Sequence, residues 1–142
     1  MTFGSTPNYD YDRHGVKSGS TGLQLGLLAK QDGFTDPDTA SDLIVTCLTS
    51  RLATVSGVRA TTIKLTSDAI MVDGHDAWHR QTQVVVTASD GSQFAGLQLD
   101  VIIVDLGAQH DYLGEYYSYC RMTAYDQLQQ LEKAMATLTV VD

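Results

Sequence analysis

Alternation of apolar and polar residues with a period of two constrains the fold of this chain more than any other feature. In residues 94–106 every second side chain from Leu97 to Ile103 is apolar, and Gln98 and Asp100 occupy the opposite face. Such a pattern predicts a β-strand with at least one buried face.

The pairs Asp73-Gly74 and Asp90-Gly91 punctuate this pattern and predict tight turns between neighbouring strands. A loop is predicted over residues 107–114. The candidate strands are residues 23–30, 60–66, 68–73, 77–88, 94–106 and 115–120.

Two segments change to the helical period. Before the first, Asp36 can cap free backbone N–H groups and Pro37 fits the first turn, with Gly57 as a plausible end. Its predicted apolar stripe is Ala40, Leu43, Ile44, Cys47, Leu48 and Leu52.

The second helix is predicted over residues 124–138, with Thr123 and Asp126 as a capping pattern. Its predicted buried stripe is Tyr125, Leu128, Leu131 and Met135.

This order of elements predicts an α+β fold. Consecutive strands joined by short turns pair antiparallel, and amphipathic helices must cover the sheet that results. We therefore expect an antiparallel sheet of five to six strands flanked by two main helices, a sheet-and-helix sandwich. Residues 1–22 lack apolar periodicity and are predicted to be a flexible leader or linker, which leaves residues 23–142 as one domain.

The charge of the chain restricts its partners. Lys and Arg number 9 against 17 Asp and Glu, for a formal net charge of -8. An acidic surface repels phosphate backbones and anionic lipid, so we expect no nucleic-acid partner. No apolar run is long enough to span a membrane and the start is unlike a signal peptide, so no membrane insertion is expected of this soluble chain.

The two cysteines, Cys47 and Cys120, have two interpretations. Packing of the first helix on the sheet could join them in a disulfide that stabilises the fold by roughly 4 kcal/mol. They could instead be separate buried thiols that behave as small hydrophobes. We favour the disulfide, because two cysteines in a chain with a linker-like start fit an oxidising compartment. A zinc site is poorly supported because the chain has no C-x-x-C pair.

Histidines provide no clear catalytic or metal-binding pattern. His75, Asp76 and His79 lie in a turn that enters a strand, where residues four apart are about 13 Å from each other and cannot share a metal ion. We therefore predict solvated histidines at a strand edge, and the same for His110. Nucleophile-elbow, phosphate-loop and dinucleotide-binding motifs are missing from the sequence, so we expect no cofactor, and an enzyme is disfavoured but not excluded.

A cluster of aromatic residues is the candidate binding surface, because tyrosine combines contact area with a polar group. The alternative is ordinary packing between sheet and helix, since alternation sends these side chains to both faces. The predicted binding residues are Trp78, His110, Tyr112, Tyr116 and Tyr117.

Three further features carry a family resemblance: the strand entry Val72, Gly74, Ala77 and Trp78, a strand that ends in V-D-L-G, and a final helix that runs into L-x-V. Over residues 24–141 this order resembles small extracytoplasmic domains of actinobacterial membrane-anchored proteins and lipoproteins with a PsbP-like fold. The resemblance implies a non-enzymatic interaction or sensor role in the bacterial envelope, with a protein partner or small ligand there.

Three functions remain open from the sequence. The first is that extracytoplasmic interaction or sensor domain, anchored by a segment absent from this chain. The second is a small-ligand-binding or enzymatic domain resembling the cone-shaped nuclear transport factor two-like fold, in which His79 or Asp100 would point inward. The third is an acidic cytosolic adaptor or immunity-type protein, which applies if Met1 is the natural start.

Overall fold

The computed structural model describes residues 3–4, 8–11, 17–53, 58–93 and 96–141. The two helices are α1 (Pro37–Ala53) and α2 (Tyr125–Ala136), and a short 3-10 helix spans Lys30–Asp32. None of the helices in these ranges is long and apolar enough to cross a membrane. The strands are β1 (Phe3–Gly4), β2 (Asn8–Tyr11), β3 (Lys17–Ala29), β4 (Val58–Val72), β5 (His75–Ala88), β6 (Leu97–Asp105) and β7 (Tyr112–Arg121).

The strands form one antiparallel sheet in the order β1-β3-β7-β6-β5-β4, and β2 also pairs with β3. Strands β4 to β7 are neighbours in the sheet because each follows the last through a short connection. Helix α1 packs on one side of this sheet and α2 on the other. The predicted α+β class, an antiparallel sheet flanked by two helices, is therefore confirmed.

The start of the chain contributes strands to this sheet. Strands β1, β2 and the beginning of β3 lie inside the range 1–22 that composition marks as a leader. These residues form strands through backbone pairing with β3, because an edge strand can add a neighbour that has no apolar pattern of its own. The division into a leader and a domain of residues 23–142 stays a prediction.

Strands β4 and β7 differ from expectation in their bounds. Residues 60–66 and 68–73, predicted as two strands, form the single strand β4. Its pairing with β5 shifts in register between Lys64 and Thr66. Strand β7 begins at Tyr112, inside the predicted loop, because Leu113 is fully buried between its partners Leu28 and Asp105. The Asp73-Gly74 turn is confirmed, with φ of 49° and 81° as a two-residue hairpin requires.

Helix α1 begins as predicted, since Asp36 Oδ1 accepts a hydrogen bond of 2.9 Å from the Thr39 N–H group. Its apolar stripe is narrower than predicted, because Leu43 is 47% exposed and Cys47 is exposed too. Gly57, the proposed end, lies outside the described residues. The face of the sheet under this helix, here called the α1 face, has a core of Ala40, Leu99, Val101, Ile103 and Leu113.

Helix α2 covers the opposite face, here called the α2 face, together with the residues that follow it. Its N-cap is Ala124, which makes no side-chain capping bond, so the predicted cap at Thr123 is wrong. Tyr125 is 72% exposed because it lies at the first position of the helix. Leu128, Leu131 and Met135 are only half-buried, so the predicted buried stripe needs correction. The core of this face contains Val72, Ala77, Ile102, Val104 and Tyr116, with Leu23, Leu25, Ile70, Leu106, Met135, Leu138 and Val140 packed around them.

Candidate functional site

Two openings flank the hairpin formed by β4 and β5, one on each face of the sheet. The α2-face cavity, of about 560 Å³, is lined by Ile70, Met71, Val72, Asp73, His79, Gln81, Gln98, Ile102, Leu128, Glu132, Met135, Ala136 and Leu138. The Trp78 groove, of about 580 Å³, is lined by Asp36, Pro37, Asp38, Ala69, Ile70, Met71, Asp76, Ala77 and Trp78.

A buried carboxylate organises the polar wall of the α2-face cavity. Asp100 is only 2% exposed, and its Oδ1 atom lies 2.7 Å from His79 Nε2. Gln81 Nε2 donates to the same oxygen at 3.1 Å, and Gln98 Nε2 donates to Oδ2 at 3.0 Å. Three donors therefore compensate a charge that would be costly to bury alone.

The strand register explains why these side chains meet. Gln81 lies directly opposite Asp100 in the antiparallel pair of β5 and β6, and His79 is two residues along the same face. Gln98 shares that face because it precedes Asp100 by two residues in β6. A period of two on both strands thus places all four side chains under α2.

Further polar groups lie on the same face of β7. The Tyr116 and Ser118 hydroxyls are buried and have no hydrogen-bond partner within the described part of the chain. Burial raises the pKa of Tyr116 to about 12, and the Asp100 carboxylate acts in the same direction. Tyr116 is therefore neutral at physiological pH.

The Trp78 groove has a different character. Trp78 lies on the α1 face of β5, where its Nε1–H donates to Ser67 Oγ at 3.0 Å. Met71 is 63% exposed and forms part of the same apolar floor. Carboxylates of Asp36, Asp38 and Asp76 stand at its rim, so the groove is apolar at its base and acidic at its edge.

Arg80 attaches the acidic start of α1 to the sheet. Its Nε donates to the buried Ser41 Oγ at 2.7 Å, and its Nη2 pairs with Asp38. The Nη1 atom lies 3.9 Å from Asp42. This contact holds the Asp38 side of the Trp78 groove against β5.

The predicted disulfide between Cys47 and Cys120 is wrong, because both thiols are free. Cys47 is exposed on α1, whereas Cys120 is fully buried on the α2 face, where its Sγ lies 3.8 Å from Gln127 Oε1. The sheet separates the two side chains, so a bridge would require one strand residue to turn to the other face.

The predicted aromatic residues do not form one surface. Tyr112 is 46% exposed at the start of β7 and His110 is exposed in the preceding loop. Tyr116 is buried on the α2 face, whereas Tyr117 is half-buried on the α1 face, where it stacks on Tyr119 and donates to Gln24. Trp78 lies away from them in β5, and whether any of the five binds a partner stays a prediction.

The predicted solvated histidines need correction at two positions. His79 is paired with Asp100 and only 21% of its side chain is exposed. His75 Nδ1 lies 3.1 Å from the Asp105 carbonyl oxygen. Strand β5 is flanked by β4 and β6, so these residues are not at a sheet edge. In the described ranges no group of three or more His, Cys, Asp or Glu side chains is placed to hold a metal ion.

Sequence reasoning missed Gln81 and Ser41 as polar residues with structural roles. The signal was present in β6, where Asp100 stands in a strand whose end is apolar on both faces. A carboxylate in a strand that is covered on both sides must be paired, and the neighbouring strand is the place to find its donors.

Comparison with known proteins shows similarity at the level of the fold. No protein-family profile matches the chain, and no curated protein matches it. PA94 from Pseudomonas aeruginosa, a protein of unknown function with a provisional description as a regulator, is similar with a TM-score of 0.54 and 13% identity. That match covers 100% of this chain and 83% of PA94.

Two other solved structures are also similar. The Ran-binding protein Mog1p of Saccharomyces cerevisiae has a TM-score of 0.51 and 18% identity, over 80% of this chain and 56% of Mog1p. CyanoP, the PsbP of Synechocystis sp. PCC 6803, has a TM-score of 0.48 and 12% identity, over 96% of this chain and 79% of CyanoP. At these identities the likeness is one of fold alone.

Proposed function

We propose that this chain is a non-enzymatic interaction domain that binds a protein partner through the Trp78 groove. The observation that carries the proposal is an apolar floor of exposed Met71 and half-buried Trp78 inside a rim of carboxylates. Exposed apolar surface with a polar rim is typical of protein interaction sites, and Trp is enriched at their energetic centres.

The groove favours a partner segment that carries Lys or Arg beside an apolar side chain. Asp36 remains ionised because the Thr39 backbone N–H group holds the pKa of its carboxyl below the ordinary value. Asp38 is bound to Arg80, yet half of its side chain is exposed, and Asp76 is exposed as well. The formal net charge of -8 would further attract a basic partner and raise the rate of association.

One comparison supports a protein as the partner without identifying it. Mog1p has a similar fold and is a Ran-binding protein, so this architecture serves protein binding in at least one case. The sequence resemblance to extracytoplasmic domains supports a location on the outer face of a bacterial membrane, which is also part of the proposal.

Intrinsic fluorescence offers a direct test because Trp78 is the only tryptophan in the chain. The probe is a short peptide of alternating Lys and Leu, and its control is the same peptide with Glu in place of Lys. We expect the Lys peptide to shift the Trp78 emission with an affinity that falls as salt rises, and the Glu peptide to have no effect.

Variants on both sides of the sheet make this test specific. Asp76→Asn and Met71→Ser should each weaken binding of the Lys peptide, whereas the exposed loop variant Asp111→Asn should not. The variant Tyr112→Ala separates the groove from the predicted aromatic loop. If Tyr112→Ala weakens binding and Met71→Ser leaves it unchanged, the loop is the contact and the groove is not.

A further inference from the structure

We infer that the α2-face cavity is a second binding site, which takes a small organic cation with an apolar body, such as a primary amine. This site goes beyond the proposed protein interaction. It lies on the opposite face of the sheet from Trp78, and among the described residues the two openings have Ile70 and Met71 of strand β4 in common.

The polar wall of the cavity is rich in acceptors. A carboxylate can only accept hydrogen bonds, so both glutamines must turn their Nε2 groups toward Asp100. Each amide is then oriented, and the Oε1 atoms of Gln81 and Gln98 remain as acceptors for a ligand in the cavity that both residues line. Carbonyl-type oxygens of this kind suit a ligand that donates hydrogen bonds.

The charges around the cavity favour a positive ligand. Asp73 and Glu132 line its edge, and both residues are exposed. None of the described residues that line the cavity is Lys or Arg, and the imidazole of His79 is paired with the Asp100 carboxylate. An ammonium group near these carboxylates would gain favourable Coulomb energy, whereas an anion would be repelled.

The remaining lining supplies an apolar surface for the body of the ligand. Sheet and helix contribute aliphatic side chains to opposite walls, and the volume of about 560 Å³ lies within the range of small-molecule sites. The aliphatic lining residues are Ile70, Val72, Ile102, Leu128, Met135 and Leu138.

Calorimetric titration with three matched probes tests this site: 2-phenylethylammonium, the neutral 2-phenylethanol and the anion phenylacetate. We expect the ammonium probe to bind about tenfold more tightly than the alcohol, and the anion more weakly than both. Equal affinity for the ammonium and the alcohol would overturn the inference, and so would the absence of ammonium binding.

Variants of α2 show whether the probe occupies the cavity. Ala136→Phe would fill the opening and should abolish binding, and Glu132→Gln should weaken binding severalfold. Asp126→Asn is the matched control, since it removes a charge from the same helix outside the cavity and should leave the affinity unchanged. Equal weakening by Glu132→Gln and Asp126→Asn would mean that net charge alone attracts the probe, which contradicts a defined site.

The groove variant Asp76→Asn keeps the two proposals distinguishable. Binding of the ammonium probe should survive Asp76→Asn, and binding of the Lys peptide should survive Ala136→Phe. If Asp76→Asn abolishes binding of the ammonium probe while Ala136→Phe leaves it intact, the amine occupies the Trp78 groove and the inferred site is wrong.

Discussion

The Nε2 atom of His79 lies 2.7 Å from Oδ1 of Asp100 in the middle of the sheet. The two residues come from neighbouring strands and project to the face that α2 covers. The carboxylate is almost completely buried, and the imidazole keeps a fifth of its side chain exposed toward the cavity. This pair therefore joins the core of the protein to the wall of a solvent-accessible site.

Replacing Asp100 with Asn should destabilise the protein by about 3 kcal/mol. The Asn amide has one acceptor oxygen in place of two, so its NH₂ group would face either the Gln98 N–H group or the N–H groups of His79 and Gln81. Urea denaturation measures the loss. The exposed loop variant Asp111→Asn should change the free energy of unfolding by less than about 0.5 kcal/mol. Equal stability of the two variants would show that the buried carboxylate is not needed.

The cysteines should behave independently. Cys47→Ser should leave stability nearly unchanged because Cys47 is exposed, and Cys120→Ser should cost about 1 kcal/mol because a buried thiol becomes a more polar hydroxyl. Thermal melts with and without reductant should coincide, and the losses should add in the double variant. A midpoint that falls on reduction would instead reveal a disulfide. A thiol reagent should modify Cys47 in the native protein and Cys120 only after unfolding.

Gly22→Ala should destabilise the contact between β3 and β7. A Cβ atom at Gly22 would lie 2.6 Å from the Tyr119 hydroxyl oxygen and 2.7 Å from its ring carbon Cζ. The ring must move from its stack on Tyr117, at a cost of about 1 to 3 kcal/mol. Gly114→Ala in β7 is the control, since its nearest new contact would be an ordinary 3.6 Å. Similar melting temperatures for both variants would contradict this account.

Glu115 should make stability depend on pH. Burial raises the pKa of its carboxyl, so the folded state binds the proton more tightly than the unfolded state does. The contribution of Glu115 to the free energy of unfolding is most favourable below the pKa that its carboxyl has in the unfolded state. It is lost as the pH rises through the pKa of the folded state. Glu115→Gln should therefore stabilise the protein at neutral pH relative to the wild type, with the gain disappearing in acid.

Exposed Glu132 provides the comparison, since Glu132→Gln removes the same kind of charge from the surface and should change the melting temperature at neutral pH less than Glu115→Gln does. Asp36 contributes to the pH dependence of wild-type stability in the opposite direction. The pKa of its carboxyl is lowered in the folded state, so its stabilising contribution is lost as the pH falls through that pKa. Differences between each variant and the wild type cancel that contribution. A constant difference between Glu115→Gln and the wild type across the acid range would show that Glu115 has no perturbed pKa.

Local sequence patterns by themselves determined most of the secondary-structure elements. The period of two in β6, the Asp73-Gly74 turn and the Asp36 cap of α1 each depend on neighbours within a few residues, so they were predictable from the sequence. The same alternation already placed Gln98 and Asp100 on one face and Leu97, Leu99, Val101 and Ile103 on the other. The α+β class followed from the order of these elements.

Tertiary structure alone decided which face each helix covers. That choice separated Cys47 from Cys120, buried Tyr116 and left Tyr125 in solvent, although the sequence pattern allowed the opposite in each case. The meeting of His79, Gln81 and Gln98 around Asp100 depended on the register between β5 and β6. Register and helix placement result from contacts far apart in the chain, and no local period carries that information.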